Sequence, residues 1–177
     1  MKIHLETDRL RLRDLSEQDL DGMFALDSDP EVHQYLGKKP ITEKVAALNY
    51  IKDIKKQYTE RGIGRWAVEL KETGEFIGWC GLRLYNDYTF NNHTNFYDIG
   101  YRLRPKFWGK GYATEASKAC LAYAWNVLKL EKVYGITEKE NEASHKVLLK
   151  IGFDYLEDFY HEPHNMMLRW YSIAKPN

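Results

Sequence analysis

The run Asp98-Ile99-Gly100-Tyr101-Arg102-Leu103-Arg104-Pro105-Lys106-Phe107-Trp108-Gly109-Lys110-Gly111-Tyr112-Ala113-Thr114-Glu115-Ala116 decides how this chain is read. A strand pattern runs to Leu103 and stops at Pro105. A Gly-x-Gly turn follows, and then a helical pattern to about Leu128 that carries Ala113, Ala116, Ala119 and Ala122. Two glycines at a helix start let the backbone approach a ligand closely, and the first-turn N–H groups have no partners inside the helix. Such a terminus attracts anions. Thr114 adds a hydroxyl, and Lys106 and Lys110 add positive charge. The direct physical reading is a site for a phosphate-bearing cofactor; a tight strand-to-helix turn without a ligand is the alternative.

Two other phosphate motifs fit less well. A Walker A loop needs G-x-x-x-x-G-K and then Ser or Thr. Here Gly109-Lys110 is followed by Gly111, and Arg104 stands at the first-glycine position. A dinucleotide fingerprint needs a third Gly or Ala where this chain has Thr114, and the regular βαβ alternation around it is absent.

Outward from this core, Leu5 to Leu15 alternates with period two and reads as one half-buried strand. Ser16 and Asp19 resemble a capping box, followed by Leu20, Met23, Phe24 and Asp27 at helical spacing. Asp29-Pro30-Glu31 opens a short helical turn. Thr42 is the expected N-cap of a longer helix with Val45, Leu48, Ile51, Ile54 and Tyr58 on one stripe, ended by Arg61-Gly62-Ile63-Gly64. Trp66 to Leu70 and Phe76 to Leu82 form a hairpin across Lys71–Glu75. Tyr85 to Asn95 reads as a loop, Phe96 to Leu103 and Lys132 to Thr137 as strands, and Ala143 to Ile151 as a short helix stopped by Gly152. Phe153 to Phe159 and Met166 to Ile173 are two last strands. Without repeats or linkers, the chain is one mixed α/β (α+β) domain spanning 1–177, with helices inserted into a largely antiparallel sheet.

Composition narrows the function. At 177 residues the chain has the length of one domain, about 100–200 residues being usual. Twenty-six basic residues balance twenty-six acidic ones, which argues against a dedicated nucleic-acid binder. Cys80 and Cys120 lie forty residues apart, so neither a disulfide framework nor a thiolate metal site is expected. The charged N-terminus has no signal-peptide pattern, and the longest apolar run, Ala119 to Trp125, is far too short to span a membrane. A soluble cytoplasmic protein, monomer or homodimer, is the expectation.

The loop W-G-K-G-Y-A resembles the pyrophosphate loop of the GCN5-related N-acetyltransferases (GNAT), whose pattern is Gln/Arg-x-x-Gly-x-Gly/Ala. The resemblance covers most of the chain. L-E-T-D-R-L-R-L-R-D-L, the D-P-E-V around Pro30, the run from Ile99 to Ala116 and N-E-A-S-H-K-V-L-L-K-I-G-F are similar to the ribosomal-protein N-terminal acetyltransferase (RimJ/RimL-type) branch. The resemblance implies a twisted, mostly antiparallel sheet with helices on both faces and a splayed parallel strand pair. It implies acetyl-CoA as cofactor and an amine-bearing acceptor, either a protein N-terminus or a small molecule. Gly109, Lys110, Gly111, Tyr112, Ala113 and Thr114 match the loop that holds the pyrophosphate. Tyr101, Arg102 and Leu103 would offer backbone groups to the pantetheine arm, and Asn141 would contact its end. Trp108 replaces the wider family's Gln or Arg, as is usual in the Rim-type branch.

Catalytic groups follow less directly. Acetyl transfer needs a neutral amine, a polarised thioester carbonyl and a proton for the thiolate. Asp98 stands where related enzymes carry a Glu that serves as base; the alternative is a solvated strand-end carboxylate. The Tyr that many relatives use as acid is here Leu148. Ser144 matches a Ser of the Rim-type branch and is the candidate for steering or protonating the CoA sulfur; the alternative is a first-turn Ser bonded to backbone. Deprotonating an α-amine of pKa about 7.7–8.0 near pH 7 costs roughly 1 kcal/mol, against roughly 4.6 for Lys at about 10.4. That favours weakly basic amines. A non-catalytic acyl-CoA-binding module remains the alternative function.

Other groups read more plainly. His161 and His164 flank Pro163 and point to a loop rather than a metal pair. Glu157, Asp158 and Glu162 either draw in a cationic acceptor or cap a solvated hairpin. Tyr85, Tyr88 and Phe90 either line an acceptor pocket or pin their loop. Tyr123, Trp125 and Val127 are expected in the core.

Overall fold

Leu10 and Leu12 are fully buried, as their alternation requires, but the N-terminal segment is two strands and not one. β1 (Ile3–Glu6) and β2 (Leu10–Arg13) pair antiparallel across a turn closed by Thr7, whose N–H donates to the Leu10 carbonyl at 2.9 Å. Thr-Asp-Arg carries neither Gly nor Pro, the strongest turn signals, and holds only the weaker signals Thr and Asp. The computed structural model describes residues 2–176.

The remaining elements follow the expected order: α1 (Leu20–Asp27), α2 (Lys44–Arg61), β3 (Arg65–Leu70), β4 (Phe76–Tyr85) and β5 (Phe96–Leu103). Then come α3 (Tyr112–Asn126), β6 (Lys132–Glu138), α4 (Glu142–Lys150), β7 (Asp154–His161) and β8 (Met166–Ala174). The strands make one eight-stranded sheet in the order β1-β2-β3-β4-β5-β6-β8-β7, with β5 and β6 parallel and the other neighbours antiparallel.

Strand alternation divides the core between the two faces. Ala67, Phe76 and Trp79 join Met23, Leu26, Ala47, Ile51 and Ile54 of α1 and α2. Trp66, Val68, Ile77, Cys80 and Leu82 point the other way and meet Ala116, Cys120, Leu121 and Ala124 of α3 with Leu148 of α4. Helices therefore cover both faces, as expected.

Two stripes differ from the sequence reading. The N-cap of α2 is Glu43 rather than Thr42, and Val45 is 55% exposed because the buried face runs through Ala47, Ile51 and Ile54. On α3, Val127 is past the helix end and 58% exposed, while Tyr123 and Trp125 are partly buried against the core.

Candidate active site

The parallel pair carries the site. β5 and β6 are in register at Asp98 with Tyr134 and Ile99 with Gly135. Beyond those pairs β5 stays bonded to β4 as far as Leu103 opposite Gly78, and β6 to β8 as far as Glu138 opposite Leu168. The two strands diverge, and Gly100–Leu103 and Ile136–Glu138 both line a cavity of about 580 Å³. A splayed parallel pair leaves backbone N–H and C=O groups facing the gap, where a bound molecule can meet them.

One end of this cavity is the start of α3. Gly109 (φ +72°) and Gly111 (φ +80°) both adopt the left-handed conformation that L side chains resist. Apart from its chain neighbours, no protein atom lies within 4 Å of where a Cβ at Gly109 would be. The residue is glycine for its dihedral, and the space in front of it is open to a ligand. Gly111 is the N-cap of α3 and no side chain caps the helix, so its first-turn amides face the cavity, which Ala113 and Thr114 also line. This cradle fits a pyrophosphate.

Neighbouring charges sort themselves. Lys106 is bound to Glu75 at 2.5 Å and Arg104 to the same carboxylate at 3.0 Å, so both charges are met by an ion pair beside the loop. Lys110 lies over the Phe107 ring at 5.7 Å. Trp108 is 46% exposed, and its indole N–H donates to the Leu103 carbonyl at 2.7 Å, tying the loop to the end of β5.

An anchor that sequence reasoning passed over holds the loop from behind. Arg9 donates from Nη1 to the Lys110 carbonyl at 3.0 Å and from Nε to Glu115 at 2.7 Å, and stacks on Tyr112 at 4.4 Å. Thr7 adds a 2.6 Å bond to Glu115, whose pKa these donors pull below its ordinary value against the opposing effect of burial. The motif T-D-R was visible in the chain; its partner a hundred residues away was not.

The middle of the cavity holds Asn141, Ser144 and Tyr101. Asn141 is the N-cap of α4, and its Oδ1 accepts the Ser144 N–H at 3.0 Å. The Tyr101 hydroxyl donates to the Ser144 carbonyl at 3.2 Å, and burial pushes the Tyr101 phenol pKa up. Asn141, Ser144 and Tyr101 therefore come together in space as well as in the resemblance. Leu148, which the resemblance sets where a Tyr acid was expected, is buried at 2% exposure. Arg102 sends its guanidinium to Asp27 at 2.6 Å and over Trp79 at 5.2 Å, leaving its backbone on the cavity side.

The far end holds Asp98, which is neither at a strand end nor solvated. It is the third residue of β5, 4% exposed, and its Oδ1 accepts from Arg65 Nη2 at 2.7 Å. Arg65 also donates to the carbonyls of Gly81 and Asp98. It lies so close over Gly100 that a Cβ there would stand 2.7 Å from its Nη2. Burial pushes the Asp98 carboxyl above the ordinary aspartate range, with the Arg65 charge opposing. Both residues line the cavity, together with Gln34 and Tyr35 from the short turn after α1.

The remaining candidates are structural. Phe90 packs edge-on to Tyr85 and stacks on His161, so Tyr85, Tyr88 and Phe90 pin the loop. His161 and His164 stack on one another, and among the described residues no cluster of His, Cys, Asp or Glu is suited to a metal. Asp158 pairs with Lys139 at 2.8 Å, and Glu157 accepts from Asn91. No helix among the described residues is long and apolar enough to cross a membrane.

A parallel pair splayed beside an uncapped helix start, inside an otherwise antiparallel sheet, is the architecture of an acetyltransferase. The chain belongs to the GNAT family: the profile described as Acetyltransferase (GNAT) domain matches residues 9–154. It is similar to the uncharacterized N-acetyltransferase YoaA of Bacillus subtilis (strain 168), 32% identical over 178 residues and 97% of each chain. It is also similar to spermidine N(1)-acetyltransferase of Escherichia coli (strain K12), 31% identical over 153 residues, 86% of this chain and 77% of that one. Its fold matches RimL, the ribosomal L7/L12 alpha-N-protein acetyltransferase solved in complex with coenzyme A. That match has a TM-score of 0.78 at 15% identity, with 98% of both chains covered.

Proposed function

We propose that the chain is a Rim-type enzyme that moves the acetyl group of acetyl-CoA directly onto an α-amine or a comparably weakly basic primary amine. The observation that carries this reading is one continuous cavity with a helix N-terminus suited to pyrophosphate at one end and a buried carboxylate at the other. Acetyl-CoA supplies the acetyl thioester. The amides from Gly109 to Thr114 hold its pyrophosphate, and Trp108 fixes the approach to that loop. The open edge of Tyr101, Arg102 and Leu103 takes the pantetheine amides, with Asn141 at their end.

At the reacting end, a backbone N–H of β5 polarises the carbonyl. Asp98 takes a proton from the incoming ammonium, directly or through water. A carboxylate raised by burial is a better base than an ordinary aspartate. The amine nitrogen bonds to the acetyl carbon as the carbon–sulfur bond breaks; Ser144 Oγ gives its proton to the departing sulfur and is reprotonated by the proton that the new amide nitrogen sheds. Neither cysteine joins this path: Cys80 of β4 and Cys120 of α3 are buried, 3.8 Å from one another.

Calorimetry with acetyl-CoA, followed by a thiol-release screen of primary amines, tests the reading. Micromolar or tighter binding, turnover of at least one amine, and a tenfold or greater loss of kcat in Ser144→Ala are the expected results. Absence of acetyl-CoA binding overturns the function, and an unchanged kcat in Ser144→Ala removes that residue from the reaction.

A further inference from the structure

The carbonyl of Lys110 is held from outside the loop: it accepts from Arg9 Nη1 at 3.0 Å. Among the described residues no peptide bond is cis, and in a trans peptide the C=O and the following N–H point in opposite directions. With its carbonyl turned to Arg9, the peptide between Lys110 and Gly111 aims the Gly111 N–H away from Arg9. Gly111 lines the cavity and Arg9 does not. The same contact fixes where the helix begins. The hydrogen-bond ladder of α3 starts at the Gly111 carbonyl, which accepts the Glu115 N–H at 3.0 Å. One rung further back, the Lys110 carbonyl would take the Thr114 N–H, four residues on. Arg9 occupies it instead. Among the described residues no protein acceptor takes the N–H of Gly109, Lys110, Gly111, Tyr112, Ala113 or Thr114.

Arg9 is itself firmly placed. Its Nε and Nη2 meet Glu115 at 2.7 and 2.6 Å, and its guanidinium lies over the Tyr112 ring at 4.4 Å. Its backbone N–H donates to Glu115 at 3.1 Å, and its carbonyl accepts the Lys71 N–H at 3.0 Å. A planar guanidinium can serve a carboxylate and a carbonyl at once, whereas an ammonium is a single point of charge. The Arg9 side chain is 47% exposed, and an ion pair that open to water adds little to stability. What the contact does fix is the direction of one peptide at the mouth of the anion cradle.

We propose that Arg9 is a positioning residue for the cofactor. By holding the Lys110 carbonyl out of the α3 ladder it keeps the Gly111 and Thr114 amides turned to the pyrophosphate, and so sets the affinity for acetyl-CoA without touching the reacting atoms. The inference rests on the acetyl-transfer reading and adds to it a residue from the far end of the chain. The effect belongs to the phosphate-bearing half of the cofactor. The pantetheine arm, which meets β5, does not depend on it.

Titrations with CoA and with pantetheine, the same arm without its phosphates, test it. Arg9→Gln should weaken CoA by about ten- to a hundredfold, the loss expected of one or two hydrogen bonds to a charged group, and leave pantetheine within twofold. With an amine found by thiol-release screening, KM for acetyl-CoA should rise by the same factor while kcat stays within twofold. Arg9→Lys keeps a charge for Glu115 but has one nitrogen for two acceptors, so it should fold as the parent does and still weaken CoA selectively. It carries the comparison if Arg9→Gln does not fold. Arg11→Gln, which breaks the pairs with Glu6 and Glu69 on the same strand, should leave both affinities unchanged. Parent-like CoA binding in the Arg9 variants overturns the proposal. So does an equal loss of CoA and pantetheine, or a loss of CoA in Arg11→Gln, since Arg9 would then support only the domain. A parent that binds neither CoA nor acetyl-CoA overturns the acetyl-transfer reading itself.

Discussion

Replacing Asp98 by Asn keeps the shape of a buried ion pair and removes half its charge. Asp98 is 4% and Arg65 6% exposed, and they meet at 2.7 Å. An arginine keeps its proton, so the variant leaves a cation buried without a counter-ion. Removing one partner of a buried pair costs about 3–5 kcal/mol. For a chain of this length each kcal/mol moves Tm by about 2–4 °C, so the expected fall is roughly 6–20 °C. Activity should fall as well, by about a hundredfold or more if Asp98 is the general base. A single variant cannot separate the two losses.

The neutral pair Arg65→Gln with Asp98→Asn can. Gln keeps a donor within reach of the Gly81 and Asp98 carbonyls that Arg65 now serves, and no charge is left stranded. The double variant should regain at least half of the lost Tm by scanning calorimetry, while kcat/KM stays at the level of Asp98→Asn. The parent's pH profile should rise through a limb above the ordinary aspartate pKa, because burial pushes that carboxyl up, and the limb should vanish in the double variant. If Asp98→Asn melts with the parent, the pair is not the buried contact described. If the double variant regains activity along with stability, the carboxylate is structural and not the base.

Two further results are expected. Gly109→Ala places a side chain at φ +72°, costing about 1–2 kcal/mol, or a Tm loss of roughly 2–8 °C, and puts a Cβ into the open space of the cradle. Calorimetry should show acetyl-CoA affinity reduced tenfold or more; parent-like affinity would place the pyrophosphate elsewhere. Glu115 has a pKa lowered in the folded state, so its contribution to stability is complete above the unfolded value near 4.5 and is lost as the pH falls through the folded one. Glu115→Gln should therefore melt below the parent at pH 7, with the gap closing on acidification below about pH 4.5; a constant gap would refute the linkage.

What was legible in the chain depended on how far apart the interacting residues lie. Phe96 to Leu103 reads as a strand from its own alternation, and Gly109 with Gly111 reads as a helix start, because both signals are local. The stripe on α2 was right at Ile51 and Ile54 and wrong only at its start, where Ala47, a small residue two positions after Val45, takes the buried place a larger apolar side chain was expected to fill. The buried charges could not be placed at all: Arg65 is 33 residues from Asp98, and Arg9 is 106 from Glu115. Arg65, Arg9 and Glu115 look in sequence like ordinary surface residues, and only the sheet order brings them to their partners.

The same distances tie the loop before α3 and the proposed base Asp98 into one device. Arg9, on the turn into β2, holds the Lys110 carbonyl and Glu115, while β2 pairs with β3, whose first residue is Arg65. The grip on the loop before α3 and the counter-ion of Asp98 are thus fixed by consecutive strands, β2 and β3, on the same side of β4 in one sheet. Positions set by strands are stiffer than positions set by loops, and acetyl transfer needs that stiffness, because amine, carbonyl carbon and base must meet within a fraction of an ångström. Gly100, which lets Arg65 lie against β5, has to remain small for the same reason: a Cβ there would stand 2.7 Å from Arg65 Nη2 and push the guanidinium off the Asp98 carboxylate.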